Sequence, residues 1–126
     1  MIATLLLGLA VPSAHAKEKV SASLCGSAGC VAVDGLEARV THRYAWTAAP
    51  KPTAFYTVRI TTPTLIPGLR GRIAYVPDKG VWRVRIHDVY VWLDVPFVNE
   101  PGLRRAVRTL RPCAPSTAWT CVPTLS

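Results

Sequence analysis

Between Leu69 and Val95 apolar and polar residues alternate in a pattern that predicts three antiparallel strands. Pro77-Asp78-Lys79-Gly80 carries the chemistry of a turn: proline presets φ, aspartate favours turns, and glycine accepts the left-handed conformation. With that loop, Val76 faces Val81, Tyr75 faces Trp82 and Ile73 faces Val84. The last two are apolar pairs on one face, as a half-buried sheet requires. The opposite face pairs Ala74 with Arg83, Arg72 with Arg85 and Arg70 with His87. A one-residue slip would set Ile73 against Arg83, so the pattern specifies its own register.

The phase of the alternation then flips. Even positions are apolar from Trp82 to Ile86, and odd positions are aliphatic from Val89 to Val95. A tight turn at His87-Asp88 accounts for the change and pairs Ile86 with Val89, Val84 with Val91 and Trp82 with Leu93. The reverse face then pairs Arg85 with Tyr90 and Arg83 with Trp92. His-Asp is not a preferred two-residue turn, and a bulge within one long strand is the alternative.

Elsewhere, Ala54–Thr62 reads as a strand with Tyr56, Val58 and Ile60 inward, and Ala38–Trp46 as another carrying Val40, His42, Tyr44 and Trp46 on one side. Cys30–Val33 is a short strand turned by Asp34-Gly35, and Lys17–Leu24 a polar entry arm. Residues 48–52 and 63–68 are proline-bearing connections. Asn99-Glu100-Pro101 has the form of a helix start. Leu103, Ala106, Val107 and Leu110 form the apolar stripe of that helix, Arg104, Arg105, Arg108 and Arg111 its polar side, and Pro112 its stop. The pattern predicts an α+β fold: an antiparallel meander sheet of five to six strands with one C-terminal helix packed on it. The stripe is expected on the Tyr75, Trp82, Val84 and Val91 face.

Cysteine count and charge narrow the setting. Residues 1–16 read as a signal peptide, with an apolar run from Ile2 to Val11 too short to span a bilayer and a small-x-small site at Ala14-His15-Ala16. No Lys or Arg precedes that run, which departs from the usual leader. Residues 17–126 then form a single exported domain, secreted or held in the cell envelope. Cys25, Cys30, Cys113 and Cys121 read as two disulfides. Pairing 25 with 30 and 113 with 121 is favoured, because Gly26 and Gly29 let the short CGSAGC loop close; links between the two chain ends are the rival. The x4 and x7 spacings do not suit zinc, and no Cys-x-x-Cys suggests redox work. The chain is basic, with 15 Lys and Arg against 7 Asp and Glu, a net charge of +8, and eleven of the basic residues are arginine.

Arg72, Arg83, Arg85, Tyr90 and Trp92 collect on one predicted face. Arginine opposite arginine destabilises a strand pair, so the guanidinium groups need company. They could stack on Tyr90 and Trp92 or meet carboxylates, which is ordinary packing. They could instead form an arginine-and-aromatic site for an anionic or sugar-like ligand. Catalytic chemistry has little support: His87 and Asp88 are adjacent and do not form a dyad, His42 sits on an apolar face, and no nucleophile elbow, zinc-protease motif or phosphate loop is present. No catalytic residue, cofactor or metal is expected. The leading expectation is a non-catalytic binding domain for an anionic envelope polymer, a lipid surface or an acidic protein. Nucleic acid is a poorer partner for an exported chain, and no transmembrane segment is expected. An exported protein–protein module such as an enzyme inhibitor is second, with contacts from the 63–68 loop or the disulfide loops, and a small hydrolase third.

Several short motifs are similar to small exported proteins of high-GC actinobacteria: Cys25-x4-Cys30-Val31, Pro52-x-x-Phe55-Tyr56, Tyr75-Val76-Pro77 with a following tryptophan, and a late helix ending Leu110-Arg111-Pro112. The resemblance covers about residues 25 to 112. It implies export and brings no activity or site residues, and the pair Cys113 and Cys121 departs from it. Exported subtilisin inhibitors share the size and the four cysteines but space them far more widely.

Overall fold

A computed structural model describes residues 17–39, 46–60, 73–86, 88–94 and 97–122. The elements are β1 (Lys17–Cys25), β2 (Cys30–Arg39), β3 (Trp46–Thr47), β4 (Tyr56–Ile60), β5 (Ile73–Val76), β6 (Val81–Ile86), β7 (Val89–Asp94), β8 (Phe97–Val98) and α1 (Glu100–Thr109). All strands join one antiparallel sheet in the order β3-β7-β6-β5-β4-β1-β2-β8. Six strands have four residues or more, and a two-residue strand closes each edge. The fold is α+β, a meander-like sheet with a C-terminal helix on it and two disulfides.

The central register follows the apolar pattern. Val76 pairs with Val81, Tyr75 with Trp82 and Ala74 with Arg83. All six pairs from Ile86↔Val89 to Val81↔Asp94 form a hairpin between β6 and β7, which decides for a turn over a bulge. Asp88 makes that turn possible with φ 68°, a region aspartate enters more readily than most residues. The expected pairs Arg72–Arg85 and Arg70–His87 lie outside the described residues.

Two expectations need correction. Lys17–Leu24 is no arm but most of β1, flanked by β2 and β4. Asp34-Gly35 does not end a strand; it is a bulge inside β2. Val20 pairs with Leu36 and Ala22 with Val33, so Ser21 alone faces both residues. The extra residue lets Val33 and Leu36, three apart, both point into the core, where an unbroken strand would send them to opposite faces. Gly35, at φ 73°, supplies the left-handed step. An Asp-Gly pair signals that conformation, and a bulge uses it as readily as a turn. Of the expected strand Ala38–Trp46, residues 40–45 lie outside the described set, and Trp46 and Thr47 pair with β7 at the far edge.

The sheet must curl. A flat sheet would hold β2 and β3 six interstrand steps apart, roughly 29 Å. The seven Cα steps from Arg39 to Trp46 reach at most about 25 Å. On one face the curl gathers Leu24, Val33, Leu36, Tyr56, Val58, Ile73, Trp82, Val84, Val91 and Leu93 into a single cluster, closed by Leu103 and Ala106 of α1. Tyr75 stacks on Trp82 at 4.1 Å. The helix lies on the expected face but is centred on β2 and β1 rather than on β6 and β7. Asn99 caps it, accepting from the Gly102 amide at 3.2 Å and donating to the Asp34 carbonyl at 2.8 Å, which ties cap to bulge. The Tyr56 hydroxyl donates to the Val107 carbonyl at 3.4 Å. Desolvation raises the pKa of Tyr56, with Asp78 adding to the effect. Desolvation likewise raises that of Tyr75, with a further push from Glu100 against a pull from Arg104.

A second cluster occupies one end of the opposite face: Phe55, Ala74, Val76, Val81, Trp92, Cys113 and Trp119. The tail builds it. After α1 the chain passes so close to the CGSAGC loop that a Cβ on Gly26 would sit 1.9 Å from the Arg111 carbonyl oxygen, and that oxygen accepts from the Ser27 amide at 2.9 Å. Cys113 then exchanges both backbone hydrogen bonds with Phe55. Trp119 meets the rings of Phe55 and Trp92 edge-on at 5.3 and 4.8 Å. The disulfides join 25 to 30 and 113 to 121, the favoured pairing.

Candidate functional site

The tail covers only the end of this face near Phe55 and Val81. The remaining surface is built from alternate residues of β4, β6 and β7. Register fixes one row across it: Thr57 beside Ala74, Ala74 beside Arg83, Arg83 beside Trp92. A parallel row holds Arg85 beside Tyr90, with Arg59 beside Ser23 two strands further along. Strand alternation alone therefore gathers Arg59, Arg83, Arg85 and Tyr90 on one side of the sheet.

Each residue of the predicted ladder has a distinct place. The Arg83 guanidinium lies over the Tyr90 ring, 3.8 Å from its centroid, a cation–π contact that holds the charge in position. Arg85 forms an ion pair with Asp88 across the hairpin turn, with both side chains largely in solvent. A pair so exposed contributes little to stability but orients the guanidinium. Tyr90 is 37% exposed. Trp92 leaves the open set: it is only 8% exposed and lies beneath Trp119. Its indole is core, covered by the tail residue Trp119. Arg72 lies outside the described residues.

Two residues matter that the pattern did not single out. Arg59 is exposed and, being opposite Ser23, extends the arginine row over β4. Val89 was expected inward, yet it is 59% exposed. It is the first residue of β7, at the turn end of the hairpin, away from the helix, which packs on β2 and β1. An alternation count cannot find this, because it records which face a residue takes and not where the covering element ends.

Titratable chemistry is sparse. Asp34, Asp78, Asp88, Asp94 and Glu100 are all exposed, and among the described residues no three His, Cys, Asp or Glu side chains could hold a metal ion. His42 and His87 lie outside the described residues. The two tyrosines with raised pKa values are on the other face. An open cleft of about 610 Å³ runs between the 47–53 connection and the β5–β6 turn, bordered by Thr47, Pro50, Lys51, Pro52, Lys79 and Val81. It adds two more cations and no carboxylate. Comparison of the chain with family models, with curated proteins and with solved structures found no match. Among the described residues no helix is long and apolar enough to cross a membrane.

Proposed function

We propose that the protein is a non-catalytic binding domain, exported through a cleaved leader, that uses the arginine and tyrosine surface to hold an anionic partner of the envelope or exterior. One observation carries the reading: Arg59, Arg85 and Tyr90 are exposed on one side of the sheet, beyond the cluster that the tail builds, and the half-buried Arg83 lies over Tyr90 among them. Guanidinium forks suit carboxylate, phosphate and sulfate oxygens, and the cation–π contact and the ion pair with Asp88 leave less side-chain freedom to lose on binding. The net charge of +8 favours encounter with any polyanion. The experiment compares the wild type with the double variant Arg83→Ala, Arg85→Ala on dextran sulfate, on anionic vesicles and on polyglutamate. Affinity should fall about tenfold or more, since a hydrogen bond to a charged group contributes about 1.5–3 kcal/mol. The melting temperature should move little. Unchanged affinity, or loss of the fold, overturns the assignment.

A second reading, an exported protein–protein module such as an enzyme inhibitor, draws on the crosslinked 25–30 loop and the chain that packs against it before Cys113. Ala28 and Gly29 are exposed at the tip of a crosslinked hairpin, and Ser27 is hydrogen-bonded to Arg111 two residues before Cys113. Such a rigid tip suits insertion into a partner's cleft. Its binding would persist at high salt, whereas contacts through exposed arginine fade as ionic strength rises.

A further inference from the structure

Among the described residues, β7 is an open edge over half its length. β3 pairs with it at Trp92 and Leu93 only. The chain then turns back, because the residues after Thr47 border the cleft with Lys79 and Val81, at the Asp94 end of β7. Among the described residues nothing pairs with the outer side of Val89, Tyr90 and Val91. The hairpin closes with Ile86 opposite Val89, so Val89 and Val91 turn their peptide groups towards β6 and Tyr90 turns its N–H and C=O outward. Val89 and Tyr90 are also two of the large apolar side chains left in solvent. Sheet edges are ordinarily blunted by charge, proline or a covering loop. Here the nearest charge, Asp88, is engaged with Arg85.

We propose that this edge receives an extended segment of an acidic partner protein by strand addition, in the order apolar–acidic–apolar. The proposal rests on the anionic-partner reading and names which partner class uses the site. A residue placed opposite Tyr90 shares its face and looks towards Arg85, the residue paired with Tyr90 on β6. The two backbones are then two strand spacings apart, about 10 Å, a gap that an arginine and a glutamate close between them. The flanking residues fall beside Val89 and Val91 on the core side and cover the exposed valine. Main-chain bonds to Tyr90 supply register and the side chains supply selectivity, as in other strand-addition complexes. A second copy of this chain fits less well. It would lay two arginine rows together, each chain carrying +8, and press its own hairpin turn against Thr47.

The test titrates the full chain with the hexapeptide Val-Glu-Val-Glu-Val-Glu, labelled at its C-terminus. Its sorted isomer Val-Val-Val-Glu-Glu-Glu and an alternately N-methylated form keep the charge and lose the pattern or the backbone donors. Both controls should bind about tenfold more weakly. Val89→Asp, an exposed change, should weaken the alternating peptide about fivefold by placing a carboxylate at the edge. Equal binding of all three peptides, or binding of dextran sulfate without any peptide, overturns strand addition and leaves the anionic reading standing. Failure of every anionic probe overturns both. Self-association abolished by Val89→Asp would make the occupant a second copy and also overturn the proposal.

Discussion

At the scale of single residues, the two glycines of the CGSAGC loop look equivalent in sequence and are not. Gly29 would meet nothing within 4 Å if it gained a Cβ, whereas Gly26 would drive one into the Arg111 carbonyl. The obstacle is backbone, fixed by the Ser27 amide and by the Cys113–Phe55 bridge that follows, so it cannot rotate away. Gly26→Ala should cost at least about 2 kcal/mol, a fall of roughly 8 °C or more in melting temperature for a domain of this size. Gly29→Ala should be neutral or slightly stabilising, through a less flexible unfolded chain. Thermal unfolding followed by circular dichroism checks both, and equal shifts would remove the contact from the account. The need for flexible residues in a short crosslinked loop was legible. That only one of them is an approach point for the distant tail was not, since the approach joins residues 85 apart in the chain.

At the scale of elements, alternation specified β4 with its inward face, and β5, β6 and β7 with their registers, because each buries one face and a slipped pairing would expose it. It failed at β1 and β2 for the converse reason. Ser21 and Ser23 dilute the apolar signal of β1, and the bulge shifts the phase of β2, so a long hairpin reads as an arm, a short strand and a turn. The tail is the least legible element, since neither period applies to residues 113–122. It nonetheless acts as a latch, with Trp119 buried against Phe55 and Trp92 and held from both sides by the Cys113–Cys121 link. Trp119→Ala should cost about 3–5 kcal/mol, and replacing both latch cysteines with serine about 2–3 kcal/mol. Because both changes release the same segment, the combined variant should lose clearly less than the sum. Additive losses in urea unfolding would mean that the crosslink and the indole secure different parts of the sheet.

For the whole molecule, the arginine surface was partly legible: the pairings Arg83–Trp92 and Arg85–Tyr90 follow from alternation, but whether the tail would cover them does not. Coverage is set by where the second cluster stops, and it stops between Trp92, which it buries, and Tyr90, which it leaves in solvent. The exposed Arg59 and Arg85 add to the arginines of α1 and its exit, where Arg104, Arg105, Arg108 and, beyond the helix end, Arg111 are exposed and Glu100 lies 3.6 Å from Arg104. Positive charge is thus presented on both sides of the sheet. The native state carries its own repulsion, which salt relieves, while a polyanion relieves it by binding and salt competes with that. The two responses must oppose each other. Between about 20 and 300 mM sodium chloride, over which the screening length falls from roughly 20 to 6 Å, the melting temperature of the free protein should rise by a few degrees as self-repulsion fades. Over the same range the stabilisation gained from dextran sulfate should shrink towards zero, because bound ligand raises stability only while its concentration exceeds the dissociation constant. A free protein that loses stability with added salt would show its surface charges to be mutually attractive on balance, held by pairs such as Arg85–Asp88. The surplus of arginine would then be internal to the fold and no longer available to a partner.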